Sequence, residues 1–544
     1  MRLRRLLLIL VALAAVVVAT VYITKDDDAE NAAEQAKKAA AESTVAAVGP
    51  APFRAGMAFR EPPSLRSRNR RLRGTIVAKN GTIRVSGIKV DNTQSYGIDG
   101  QPRGLLGPTL RVQPGDLVDL VLDNRLVTPA HLPKATDAEP AQPIAHGECH
   151  DTMIKPGDPQ PTNLHFHGFH VTPRNRKVGK VTYYGDNVLA CLRRGRSRIR
   201  FRIPRTHDQG TFWYHAHLHG VTDDQVFRGL AGMIVVGDSR RYLPTRFEHV
   251  RTRLLSLKDI QVTKDDRPAI PTDHDWANPT HRTVNGLVNP RMTMRPGETQ
   301  LWRVGNSSSA VWYRVAFMDG ERRDAFTVVS TDGNPLVLPQ RKTQVVLAPG
   351  NRVDILVRAP RSGTRVLKTL PFDQGRLIFG EDVLATVRVA GRPAADLAAP
   401  GRRGRLPEFP TRRGPERIWT FSTYFPPKQN GQFLINGKQF NNRRVDARPR
   451  LGTTERWVLQ NTSSEWHPIH IHQDDYRVIS VNGRRMDVRS DQDVVPLPPI
   501  DAKGVPGRVV IDMPFQRYWG NFVMHCHILD HEDAGMMARI DVRP

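Results

Sequence analysis

Four short clusters of metal-binding side chains, spread from residue 165 to residue 536, constrain this chain more than any other feature. They read His165-Phe166-His167, His215-Ala216-His217, His467-Pro468-Ile469-His470-Ile471-His472 and His525-Cys526-His527, the last followed by His531 and Met536. Ten of the 19 histidines sit in them. Imidazoles combined with one thiolate and one thioether form a copper ligand set.

Strand alternation groups these residues. In an extended strand, residues i and i+2 share a face and i+1 points away. His525 and His527 therefore face one way and Cys526 the other. His470 and His472 share a face, and His467, three residues earlier, lies opposite. Cys526, His467, His531 and Met536 can then meet on one side. Two imidazoles, a thiolate and a weak axial thioether describe an electron-transfer copper. Eight histidines remain, as four pairs: His165 with His167, His215 with His217, His470 with His472, and His525 with His527. Eight imidazoles suit three copper ions, two ligands on one and three on each of the others. The tripeptide His525-Cys526-His527 would join the two sites through bonds.

Plainer readings exist for each part. A lone His-x-His pair is more often solvated than metal-bound. A structural zinc site closes with four ligands and has no use for eleven. A buried cysteine is usually an inert small hydrophobe. Together the clusters leave these readings little room. His170 and His219 fall outside the pattern and read as flanking or surface residues; His131, His146 and His150 show no pattern.

The four motifs, complete and in order, resemble those of the multicopper oxidases, the laccase-like family of the bacterial type with three cupredoxin domains. The resemblance runs from about residue 75 to the C-terminus, and Asn163-Leu164-His165-Phe166-His167-Gly168 and Trp213–Gly220 extend it beyond the ligands. It implies four copper ions. His467, Cys526, His531 and Met536 would hold the type 1 copper, and His165 and His470 the type 2 copper. His167, His215, His217, His472, His525 and His527 would hold the type 3 pair. It also implies one-electron oxidation of a reductant at the type 1 site, with His467 as the edge that meets it, and reduction of O2 to water at the other three ions. Met536 as axial ligand would keep the type 1 potential low. O2 reduction consumes protons, and two acids are candidates to deliver them: Glu532, directly after His531, and Asp186. A basic insertion, Arg174–Lys180, separates Asp186 from the first motif, a departure from the commoner spacing.

Length and turn chemistry set the architecture. A chain of 544 residues is too long for one core. Frequent Pro and Gly with short β-branched runs favour all-β sandwiches. A degenerate repeat appears at Pro108–Asn124, Pro290–Asn306 and Arg444–Asn461, each a strand, a turn and a strand ending at Asn. Val284-Asn285-Gly286 and Ile435-Asn436-Gly437 precede the second and third copies. The expected fold is all-β: three cupredoxin-like Greek-key β-sandwiches at 72–240, 248–395 and 412–544. The Arg/Pro/Gly-rich Ala399–Gly414 reads as a linker. The trinuclear site would lie between the first and third sandwiches, with the middle one as spacer and cleft wall.

The N-terminus reads separately. Leu6–Ile23 is an apolar run with Arg2, Arg4 and Arg5 before it and Asp26, Asp27 and Asp28 after it. It reads as an uncleaved membrane anchor (residues 1–25) with the body outside the cytoplasm, a cleaved signal peptide being the rival. Arg4-Arg5 fits twin-arginine export poorly. Residues 26–71 are expected to form a stalk or linker. Cys149 and Cys191 are candidates for a disulfide in an exported protein. The net charge of +26 is dispersed; it points to anionic envelope polymers, lipid headgroups or an anionic reductant rather than nucleic acid. Arg66-Ser67-Arg68-Asn69-Arg70-Arg71-Leu72-Arg73 is one such basic cluster, where the expected stalk ends.

A monomer acting on O2 and a small reductant is expected, membrane-anchored or secreted. A phenol or aromatic amine is the default reductant. The 12 methionines are scattered, unlike a Met-rich Cu(I) site, and Fe(II) would need acids near His467, for which Glu465, Asp474 and Asp475 are the candidates. A two-copper nitrite reductase would lack the full set of histidine pairs, and a non-catalytic envelope protein of the same fold would have lost ligands.

Overall fold

The computed structural model describes residues 44–46, 52–129, 157–263, 267–271, 280–425 and 431–544. The expected anchor Leu6–Ile23, Cys149, His131, His146 and His150 lie outside them. Among the described residues no helix is long and apolar enough to cross a membrane.

The chain is built from pairs of facing sheets, as the strand–turn–strand repeat requires. In the first pair, a six-stranded sheet centred on Arg71–Val85, Leu117–Asn124 and Gly195–Arg202 packs on a five-stranded sheet. The latter ends in Ala231–Val236, Thr211–His215 and, at its edge, His165–His167. Alternate residues fill the space between them: Leu72, Leu120, Ile199 and Phe201 from one sheet, Leu110, Phe166, Tyr214 and Ile234 from the other. Two six-stranded sheets enclose the second core, around Trp302, Val304, Phe317 and Ile355. The third pair is a six-stranded sheet and a four-stranded one ordered Val494–Leu497, His467–Ile471, Gly520–Cys526, Met537–Val542.

The repeated asparagine has one physical reason in all three copies. Asn124, Asn306 and Asn461 are buried. Each Oδ1 accepts from the backbone N–H two residues on (Leu126, Ser308, Ser463). Each Nδ2 donates to two carbonyls of other segments: Gln160 and Leu192, Val311 and Leu347, Glu465 and Pro498. One side chain thus ends the strand and satisfies backbone groups that burial would leave unpaired. Asn285-Gly286 and Asn436-Gly437 have consecutive positive φ (56° and 75°, 53° and 69°), the turn that Asn-Gly favours.

Residues 52–71, expected as part of a stalk, belong to the fold. Phe53 is buried with Ile83, Val85 and Val90, and Ser64–Arg66 pairs in parallel with Thr109–Arg111. Glu61 accepts from Arg111 at 2.7 Å and from the Leu254 N–H at 3.0 Å, joining the first sandwich to the second. Apolar Phe53 and the paired Glu61 gave no period that distinguished this segment from a tether. Cys191 is disulfide-bonded, while Cys526 is a free, buried thiol.

Candidate metal centre

Register brings the ligands together. In the first sandwich His165 lies opposite His215 across the antiparallel pair. In the third, His470 lies opposite His525 and Ile469 opposite Cys526. The pleat then sends the imidazoles out of the sandwich and the thiol into its core, as alternation predicts. Cys526 and Met536 are both fully buried in that core.

Around Cys526 is a compact nest. Its Sγ lies 3.5 Å from His467 Nδ1 and 3.8 Å from His531 Nδ1, and these two nitrogens are 3.3 Å apart. The Cys526 N–H donates to the Met536 carbonyl at 3.1 Å, and the Met536 N–H to that of His531 at 2.9 Å, tying the loop closed. The outer nitrogens differ. His467 Nε2 is 2.7 Å from Ser463 Oγ, while His531 Nε2 is 3.5 Å from Glu465 Oε2. A cavity of about 10 Å³ reaches His531, lined also by Gln374, Arg376, Leu377, Phe379 and Asp530. The imidazole that reaches this cavity is His531 rather than His467, whose outer nitrogen is occupied by the Ser463 hydroxyl. Of the nearby acids, Glu465 points to this nest. Asp475 turns away to His170, 2.9 Å from its Nε2, and Asp474 lies beside Arg517.

The other eight imidazoles form a second nest where the first and third sandwiches meet. His165 stacks on His472 (4.2 Å between centroids) and His167 on His470 (3.8 Å). His525 Nε2 lies 3.1 Å from His217 Nε2 and 3.3 Å from His472 Nε2. The outward nitrogens are anchored. His215 Nδ1 lies 2.8 Å from the Ala216 carbonyl and His470 Nδ1 2.8 Å from that of Asp493. His165 Nδ1 is 3.0 Å from Asp186 Oδ1. Glu532 lies 3.3 Å from His217 Nδ1 and 3.1 Å from His525 Nδ1, the latter nitrogen being 2.9 Å from the Cys526 carbonyl. The inward nitrogens of His165, His215 and His470 and both ring nitrogens of His527 are buried without hydrogen-bond partners. Such orphaned groups are costly; a metal cation is the partner they fit. Burial pushes His165, His167, His217, His470, His472 and His527 well below the ordinary imidazole pKa, and His215 and His467 to about 3. They are thus held neutral, the form that coordinates. Burial likewise pushes the Cys526 thiol well up; a cation would supply the charge that keeps it a thiolate.

Backbone freedom is used where the second sandwich touches this nest. Gly350 has φ +86°, and a Cβ there would sit 2.9 Å from His527 Cδ2 and 3.2 Å from His167 Cε1. The basic insertion forms a hairpin, Arg176–Val178 with Val181–Tyr184. The Asp186 N–H donates to the Thr172 carbonyl at 2.9 Å, closing the hairpin's base and returning Asp186 to His165. Burial pushes the Asp186 carboxyl up to about 8. Residue patterns missed Asp493 and Arg352. Asp493 Oδ1 approaches His167 Nε2 at 3.5 Å, and Arg352, fully buried, grips both Asp493 oxygens at 2.6 Å. Neither lies in a recognisable motif, and their pairing spans 141 residues. His170 is buried at Asp475, and His219 packs on Phe440; neither joins the nests.

Comparison with known proteins agrees with this geometry. Three multicopper oxidase family models match, at residues 155–241, 257–365 and 413–544. The chain is 24% identical to a multicopper oxidase of Staphylococcus epidermidis over 86% of this chain and 88% of that one. It is 27% identical to a laccase of Bacillus stratosphericus over 80% and 89%. The fold is similar to that of a Campylobacter jejuni multicopper oxidase described as a metallo-oxidase (TM-score 0.70, 22% identity, 91% of this chain and 97% of that one). It is also similar to the McoA multicopper oxidase of Aquifex aeolicus (TM-score 0.69, 22% identity, 90% and 100%). A copper ligand set in two joined nests, on three pairs of sheets matched by these models, makes the chain a member of the multicopper oxidase family, copper-dependent oxidoreductases.

Proposed function

We propose that this protein couples one-electron oxidation of a small reductant to four-electron reduction of O2 to water, using four copper ions. In this reading His467, Cys526, His531 and Met536 hold the type 1 ion, His165 and His470 the type 2 ion, and His167, His215, His217, His472, His525 and His527 the type 3 pair. Bound there, copper would supply the one-electron chemistry at the first site and O2 reduction at the second.

The chain's own residues do the rest. Cys526 faces one nest while His525 and His527, its covalent neighbours, face the other; this bridge is the observation that carries the proposal. His531 presents the edge through which electrons enter, held by Glu465. Glu532 and Asp186 hold protons at the outer nitrogens of His217 and His165, on the side where O2 reduction consumes them. Ser463 and the Asp493 carbonyl orient His467 and His470.

A laccase-like phenol or aromatic amine is the first candidate reductant. A metal ion, Cu(I) or Fe(II), is the second. Two observations favour it: the Glu465 and Asp530 carboxylates flank His531, and the cavity there has room for about one water. The body would work outside the cytoplasm, anchored or exported through the N-terminal run. The test is to load the purified protein with copper, record the blue thiolate charge-transfer absorption, count metal ions, and follow O2 uptake with a phenol, Cu(I) and Fe(II) in parallel. A colourless protein, or one binding fewer than about three ions, would sink the proposal. Uptake with metal ions alone would replace the phenol reading by the second.

A further inference from the structure

The outer face of the first sandwich carries an arrangement that oxidase chemistry does not use. Strand Gly195–Arg202 alternates, and Arg196, Arg198, Arg200 and Arg202 all point to solvent while Ile199 and Phe201 enter the core. Register extends the rows across the sheet: Arg202 beside Leu117 and Arg71, Arg200 beside Asp119 and Arg73, Arg196 beside Asp123. Six arginines thus share a flat face with two carboxylates. Asp119 is shared at 3.6 Å from Arg73 and 4.0 Å from Arg200, and Asp123 lies 3.9 Å from Arg196. Contacts this long on exposed side chains hold little of the charge.

The hairpin insertion completes this face. It joins the sheet beside the arginine strand, with Tyr183 in register with Arg198 and Arg176. At its tip Val178 and Val181 pair with each other, 49% and 39% exposed, each directly following a lysine, Lys177 and Lys180. Arg174 at its base lies over the Trp519 ring at 3.8 Å, bracing the hairpin against the third sandwich. The histidine pairs of this sandwich are on its other sheet, so the arginine face stays free while the copper nests work.

We propose that this arginine face and the Val178/Val181 tip form a docking surface for an anionic phospholipid bilayer. Charge complementarity favours an anionic partner. The paired valines, each preceded by a lysine, favour a bilayer over a soluble polyanion. Such a tip suits the boundary between headgroups and acyl chains, whereas a polyanion offers nothing for exposed valines. The apolar run Leu6–Ile23 precedes this surface in the same chain. Docking would orient the body on the membrane rather than leave it on a free tether.

The test is hydrogen–deuterium exchange on the full, copper-loaded chain, with vesicles of phosphatidylglycerol or of phosphatidylcholine. The N-terminal run is unchanged in the face variants, so comparing them with the parent protein isolates the face. The expected result is protection of residues 176–184 and 195–202 on phosphatidylglycerol only, weakened by salt. In Arg198→Glu/Arg200→Glu, half-protection should need at least about tenfold more anionic lipid, since each cation lost costs roughly fivefold in partitioning. Val178→Asp/Val181→Asp should lose protection at the tip. Retained blue colour and O2 uptake would show that both variants fold. Equal protection on the two lipids, no response to either variant, or protection by heparin but not by vesicles would each overturn the proposal.

Discussion

Glu532 has no solvent exposure, and its two oxygens face outer nitrogens of imidazoles from different sandwiches, His217 and His525. Its Oε1 also accepts from Thr222 Oγ1 at 3.2 Å. In the function proposed above, a carboxyl so placed would deliver protons to the nest. Glu532→Gln keeps the shape and removes the proton-carrying group. Stopped-flow measurement should show reoxidation by O2 slowed about 10²-fold or more, with reduction of the blue centre nearly unchanged. Equal slowing of both steps would assign Glu532 a structural role only. Its candidacy was legible because it follows His531 directly. Which imidazole reaches the cavity was not legible, because it depends on how the loop between Asn461 and His467 turns Ser463 and Glu465.

At the scale of elements, two periodicities of the β-strand explain most of the architecture. Alternation sorts Cys526 from His525 and His527, and the terminal asparagine fastens each strand to two neighbouring segments. Asn306→Ala would leave the Val311 and Leu347 carbonyls without their donor. The Ser308 N–H would also lose its acceptor; at about 1–3 kcal/mol per buried group left unpaired, the variant should lose about 3 kcal/mol or more. Chemical denaturation monitored by tryptophan fluorescence would measure this; a change below about 0.5 kcal/mol would contradict the accounting. The repeat and its asparagines were visible in the sequence. Residues 52–71 were assigned to a stalk because their attachment rests on Phe53, Glu61 and the three-residue strand Ser64–Arg66 meeting distant strands, too short a pattern to show a period.

Over the whole molecule, the second sandwich does more than separate the other two. Arg352, at 0% exposure, holds Asp493 of the third sandwich, whose carbonyl orients His470 and whose carboxylate approaches His167. Arg352→Met would strand a buried carboxylate, at a cost of about 3–5 kcal/mol. A lower Tm together with fewer bound copper ions is the expected outcome, read by calorimetry and metal analysis. Removal of copper acts on the same junction. Ligands that bind only the folded state stabilise it by mass action, and here they would fill unpartnered nitrogens contributed by two sandwiches. Chelation should lower Tm by several degrees, and copper added back should restore it.

The histidine spacing alone determined which side chains could share a face, and therefore that one thiol and eight imidazoles would separate into two linked nests. That follows from a pleat of period two, which is local covalent geometry. The repeated turn likewise determined that the core would be β-sandwiches. Only the tertiary structure decided that His531 rather than His467 faces the cavity, that Arg352 and Asp493 clamp the nest, and that arginines of separate strands form one face. Those outcomes depend on register and packing between segments far apart in the chain, where no local period carries the information.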